Sequence, residues 1–203
     1  MPRRSILIFA GACIAIAAAL AVVTMVVVGR QPTTTGEITS SGQSKIGGPF
    51  QLVNEEGQPV DQTMLNGKWS LVFFGFTYCP DYCPTTLAML EATKAELGAQ
   101  GENLQLVFIS VDPERDTPKA MKDYLSTYPM DVVGLTGTPE QVRAAADAYR
   151  VSYSRNGEGE NYTVNHSLTI FLIGPDGRFR TILGEAMGPK NSAEVIRREM
   201  ARN

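Results

Sequence analysis

Leu71-Val-Phe-Phe-Gly-Phe76-Thr-Tyr-Cys79-Pro-Asp-Tyr-Cys83-Pro84 is the stretch on which the reading of this chain turns. Its first six residues form an unbroken apolar run, the pattern of a central strand buried on both faces. The run ends at two cysteines. Thiols four residues apart fall on one face of a helical turn, close enough to share a metal ion or close a disulfide. Pro80 and Pro84 stiffen the loop at small cost, because donors in a first helical turn lack partners anyway. From Pro84 to Leu97 the spacing predicts a helix with Leu87, Leu90, Ala95 and Leu97 inward and Glu91, Lys94 and Glu96 outward. A helix N-terminus at this junction favours thiolate over thiol.

Working outward, the elements alternate. Phe50-Gln-Leu-Val53, a turn at Asn54-Glu-Glu-Gly57 and Gln58-Pro-Val60 predict an opening hairpin. Leu104 to Val111 reads as a second buried strand. Asp116-Thr-Pro118 supplies a cap and a first-turn proline for a helix to about Tyr128. Val132 to Leu135 is a short strand, and Thr138-Pro-Glu-Gln141 caps a helix to about Tyr149. Ser167–Ile173 and Arg178–Leu183 flank the turn Gly174-Pro-Asp-Gly177, and Asn191–Met200 closes the chain as a helix. Together these predict an α/β domain over residues 49–203, thioredoxin-like, with a mixed central sheet flanked by helices. Such a fold hosts many activities, so function must be read from the site.

Ahead of that domain, Ile6 to Val28 is a run of 23 uncharged residues, long enough to cross a bilayer core. Arg3 and Arg4 precede it, which keeps the N-terminus in the cytoplasm and exports the rest. A cleaved signal peptide would carry a shorter apolar core and small residues at its end. A lipoprotein anchored through Cys13 would want an aliphatic residue three positions earlier, where Ala10 stands. The retained anchor, residues 1–30, is the preferred reading, with Cys13 as a small packing residue. Residues 31–48, rich in Thr, Ser and Gly, form a flexible linker. The expected place is the inner (cytoplasmic) membrane, single-pass, with the domain facing the periplasm or extracytoplasmic space. The formal charge is −3, and three of the cations flank the anchor as Arg3, Arg4 and Arg30, so the body is mildly acidic and unsuited to nucleic acid.

Outside the cytoplasm an unprotected thiol pair is a structural disulfide, a redox pair or a metal site. The chain's one histidine, His166 in Val164-Asn-His-Ser167, would complete a soft three-donor set if the fold delivered it to the cysteines. The charged run Asp112, Glu114, Arg115 and Asp116 reads as a solvated loop with a helix cap, the alternative being a docking surface beside the site.

Four segments carry a resemblance: Phe76-Thr-Tyr-Cys79-Pro-Asp-Tyr-Cys83-Pro84, Ser110-Val-Asp-Pro-Glu-Arg-Asp-Thr-Pro118, Gly134-Leu-Thr-Gly-Thr138 and Val164-Asn-His-Ser167. In order and spacing they resemble the Sco/SenC proteins over roughly Gly48 to Met200. The resemblance implies a membrane-anchored, thioredoxin-like protein that delivers copper to, or maintains the thiols of, the binuclear copper centre of cytochrome c oxidase. Carried over by position, the ligands of one cuprous or cupric ion would be Cys79, Cys83 and His166. The implied partners are the copper-bearing oxidase subunit and another copper chaperone or a thiol reductant.

The donor chemistry agrees. Cuprous ion is soft and suits two thiolates and an imidazole, whereas zinc would want a fourth protein ligand. Two departures from the family pattern are visible: Asn165 stands where Asp usually precedes the histidine, and Tyr78 stands where a histidine is common. The competing function is a membrane-anchored thiol–disulfide oxidoreductase or redox sensor using Cys79 and Cys83 as a redox-active pair. Any enzymatic activity would be thiol–disulfide exchange. A redox helper more often carries C-x-x-C and a proline facing it, and the segment entering the late strand offers Asn165-His-Ser167 instead, so copper is favoured.

Overall fold

Trp69–Gly75 is buried at all seven positions, and the elements of the domain are arranged around it. The computed structural model describes residues 46–202. The predicted anchor Ile6–Val28, Cys13 and most of the predicted linker lie outside the described residues. In chain order come β1 (Gln51–Asn54), β2 (Pro59–Asp61), β3 (Trp69–Gly75), α1 (Tyr82–Leu97), β4 (Leu104–Ser110), α2 (Pro118–Leu125) and β5 (Val132–Thr136). Then follow α3 (Pro139–Ala148), β6 (Tyr153–Asn156), β7 (Thr163–His166), β8 (Ile170–Ile173), β9 (Phe179–Leu183) and α4 (Gly188–Met200).

Seven strands form one mixed sheet in the order β2-β1-β5-β4-β3-β8-β9. The continuous apolar runs of β3 and β4 pair in parallel at its centre, from Trp69 opposite Leu104 to Gly75 opposite Ser110. β5 extends the parallel set, and β1 and β8 flank it antiparallel. Side chains alternate across the sheet. Phe73 and Phe108 therefore share one face, with ring centroids 4.9 Å apart, while Phe74, Tyr149 and Phe171 cluster on the other. The α/β, thioredoxin-like expectation holds for this part of the chain.

Local chemistry sets the helix starts. Thr117 and Thr138 accept from the backbone N–H groups of Ala120 and Gln141, and a proline follows each at a position that needs no donor. At α1 the inward set differs in one place from the spacing: Ala95 is exposed, and Thr93 is buried with its hydroxyl donating to the Met89 carbonyl at 2.8 Å. A second, two-stranded sheet pairs β6 with β7, from Tyr153 opposite His166 to Asn156 opposite Thr163. The sequence reading contains no such hairpin. Its strands are short and largely exposed, so they lack an apolar run that would mark them.

Gly75 ends β3, ahead of the loop that carries Cys79. A Cβ there would stand 2.5 Å from the Phe108 ring and 2.6 Å from the Cys83 sulfur, so the absent side chain is what lets Cys83 pack on the strand. Gly75→Ala should cost about 1–3 kcal/mol by overpacking, read from denaturant unfolding. Gly184→Ala, with open space at its Cβ, is the control expected to stay within about 0.5 kcal/mol.

Candidate metal centre

Cys79 and Cys83 are both free thiols and both buried, at 8% and 2% exposure. The loop that carries them is fixed at three points. Asp116, with no exposure, accepts from the Thr77 N–H at 3.1 Å, the Thr77 hydroxyl at 2.6 Å and the Ser110 hydroxyl at 2.6 Å. The Cys79 N–H then donates to the Phe76 carbonyl at 3.2 Å, closing a tight turn. Finally the Cys83 N–H donates to the Cys79 sulfur at 3.4 Å.

That last contact explains the start of α1. Asp81 stands at the N-cap without a side-chain cap bond, and Pro84 has no amide donor. The Cys79 sulfur thus takes the place of a capping oxygen. At Cys83 the helix-terminus expectation is corrected: burial in the apolar junction pushes its thiol up, and the nearby Cys79 and Asp116 push the same way. Burial also raises the Asp116 carboxyl, against the pull of its three hydrogen bonds.

His166 ends β7, on the two-stranded sheet rather than the main one. Its ring meets Phe76 edge-on, centroids 5.8 Å apart. Nδ1 lies 3.0 Å from the Ser167 carbonyl. A carbonyl only accepts, so the proton sits on Nδ1 and Nε2 keeps its lone pair. Asn165 is exposed, and strand alternation turns it away from His166. The Ser167 carbonyl, not a neighbouring carboxylate, orients this imidazole.

Cys79 and His166 line one groove of about 330 Å³ with Phe76, Pro80, Asp81 and Tyr82. Cys83 and His166 border a small crevice beside Tyr82 and Thr86. The fold brings all three sequence-predicted donors to one place. They do not meet at a point: among the described residues no three Cys, His, Asp or Glu side chains stand close enough together to hold a metal ion. A larger open groove along β1 and β2 contains neither cysteine nor histidine.

The charged run after β4 is not a solvated loop. Asp112 is 3% exposed and Asp116 fully buried, and Thr117, not Asp116, caps α2. Asp112 accepts from the Arg115 Nε and from the Tyr162 hydroxyl, each at 2.5 Å. Thr77, Ser110, Tyr162 and Arg155 are structural partners that the sequence reading does not single out.

The profile of the SCO1/SenC family matches residues 38–201. This chain belongs to the SCO1/SenC family. The mitochondrial Protein SCO1 homolog 1 of Arabidopsis thaliana is 40% identical over 148 residues, which are 72% of this chain and 44% of that protein. The chain spans about half the length of the curated relatives it matches first. The crystal structure of Arabidopsis thaliana ScoI with copper bound superposes with a TM-score of 0.74 at 36% identity, covering 78% of this chain and 99% of that one. A structure described as a disulfide switch in BsSco, a member of the Sco family of cytochrome c oxidase assembly proteins, gives 0.59 at 27% identity, covering 76% and 91%.

Burial holds the His166 pKa below its ordinary value of 6.5. The unfolded chain therefore takes up this proton first as pH falls. Stability that is full above pH 6.5 should be lost as pH drops through that value toward the folded pKa. The chain has one imidazole, so a proton-nitrogen NMR titration reads it directly. A midpoint below 6.5 is expected, and one at or above 6.5 contradicts the assignment.

Proposed function

We propose that this SCO1/SenC chain is a copper metallochaperone that binds one copper ion through Cys79, Cys83 and His166. Its target is the copper-bearing subunit of cytochrome c oxidase, where it delivers copper or maintains the thiols of the binuclear centre. The observation that supports the reading is that His166 lines both the groove that holds Cys79 and the adjoining crevice that holds Cys83, and that both thiols are free.

The donor set fits the cargo. Two thiolates and an imidazole satisfy cuprous ion, and cupric ion takes the same set with an added ligand. The residues supply the rest. The N–H of Cys83 already faces the Cys79 sulfur and holds it at the start of α1. The raised Cys83 pKa means that its proton leaves when metal replaces it, so uptake releases protons and strengthens with pH. The Ser167 carbonyl holds the His166 proton on Nδ1, so Nε2 is the nitrogen offered. Exposed Tyr82 and Leu168 line the groove, and exposed Tyr78 precedes Cys79, leaving apolar surface for the receiving protein.

The alternative, thiol–disulfide exchange, draws on the same two thiols. Each cycle would remove two electrons and two protons from Cys79 and Cys83 and form one S–S bond, reducing a target disulfide to two thiols. The single-pass anchor over Ile6–Val28, the tether to residue 48 and an extracytoplasmic domain from residue 49 complete the proposal. Among the described residues no helix is long and apolar enough to cross a membrane.

The full chain, reduced and in detergent, should bind one equivalent of copper. Cys79→Ser with Cys83→Ser should abolish binding, and His166→Ala should weaken it, as read by metal analysis and a competing chelator. Retention of a full equivalent in the double serine variant would sink the copper assignment. Full oxidase thiol maintenance with His166→Ala would instead favour thiol exchange.

A further inference from the structure

His166 belongs to a two-stranded sheet that shares no ladder with the main one. An isolated hairpin is marginally stable in water. Contacts from elsewhere must therefore fix where the imidazole stands: Val164 and Tyr162 are buried in the core and Arg143 lies over Tyr153, while a connected set of polar and stacking contacts centres on Arg115.

The Arg115 guanidinium lies over the Tyr162 ring at 3.7 Å, and Arg155 lies over the same ring at 3.7 Å. Two guanidiniums cannot share one face at that distance, so the ring is held between them. Arg115 Nη1 donates to the Tyr162 carbonyl at 3.0 Å, on the approach to β7, and its Nε is paired with buried Asp112. Asp112 in turn accepts from the Tyr162 hydroxyl. The same guanidinium stands 4.5 Å from the ring of Tyr78, the residue before Cys79. Its Nη2 is buried without a hydrogen-bond partner. An arginine on the surface for solubility would keep that nitrogen in water. Here aromatic faces occupy its surroundings instead.

We infer that Arg115 is a positioning residue for copper: it clamps the hairpin that carries His166 against the loop that carries Cys79, and so sets where the imidazole meets the thiols. The inference rests on the copper reading above. Its chemical consequence is selective. Cuprous ion is satisfied largely by the two thiolates, whereas cupric ion depends more on the nitrogen donor. Loss of the clamp should therefore penalise cupric binding most. Lysine should not substitute, because it lacks the planar fork that stacks and donates together.

The test uses the full chain in detergent, as wild type, Arg115→Ala, Arg115→Lys, His166→Ala and the double variant Arg115→Ala with His166→Ala. In the metal-free state, hydrogen exchange of residues 153–166 should quicken at least about tenfold in Arg115→Ala while β3 and β4 keep their protection. Cupric affinity should fall roughly ten- to hundredfold, with cuprous affinity changed far less. Adding Arg115→Ala to His166→Ala should cost little more, since the group being positioned is already gone. Wild-type cupric affinity in Arg115→Ala, equal losses for both oxidation states, or penalties that simply multiply would each overturn the role. Should Arg115→Ala fail to fold, Arg115→Lys decides on the same readings. Equal cupric binding by wild type and His166→Ala would instead count against the copper reading, and the metal-free exchange would still judge the clamp.

Discussion

A carboxylate sealed from water needs compensation, and Asp116 receives it from three donors: the Thr77 N–H, the Thr77 hydroxyl and the Ser110 hydroxyl. Those bonds join the end of β4 to the first residues beyond β3, so the exit of the central strand is set relative to its neighbour. The next constraints follow in sequence. The Phe76–Cys79 turn starts from that fixed point, and the Cys83 N–H then meets the Cys79 sulfur at the start of α1. Removing the Asp116 acceptor would leave buried donors unpaired, at about 1–3 kcal/mol each. The thiol geometry is thus referred, bond by bond, to the centre of the sheet.

The imidazole has a different origin. Cysteines come from the junction of the main sheet with its first helix, and His166 comes from a small hairpin held by side-chain contacts. On the proposed copper reading, two donors belong to the frame of the main sheet and the third to the hairpin. Tyr78, Tyr82 and Leu168 are large apolar side chains left exposed.

Much of this was legible in the chain, for physical reasons. The apolar run from Leu71, short and punctuated by Gly75, has the length and composition of a buried strand, and threonine followed by proline at Thr117 and Thr138 announces helix starts. The cysteine spacing and Val164-Asn-His-Ser167 marked the donors. What local pattern could not show was burial created over long separations. Asp116 is sealed by Thr77, 39 residues away, and Asp112 by Tyr162, 50 residues away, so a charged run that looks solvated is interior. The β6–β7 hairpin was missed because Tyr153-Ser-Arg-Asn156 and Thr163-Val-Asn-His166 lack an apolar run, and the turn pair Asn156-Gly157 opens a longer connection instead of standing alone as a two-residue turn. Its placement comes from scattered buried residues, Tyr162 and Val164, together with stacked cations, and not from a readable hydrophobic period. Cys83 shows the same limit: helix position argued for an acidic thiol, and packing against Gly75 and Phe108 made it the reverse.

The central claim is that copper is held by two sulfurs and one nitrogen of this chain. X-ray absorption at the copper edge of the loaded full chain reads the donor atoms themselves. The account predicts two sulfur neighbours and an imidazole signature in the wild type, with the imidazole signature lost in His166→Ala and the sulfurs kept. A first shell of oxygen and nitrogen alone, unchanged by His166→Ala, would contradict it.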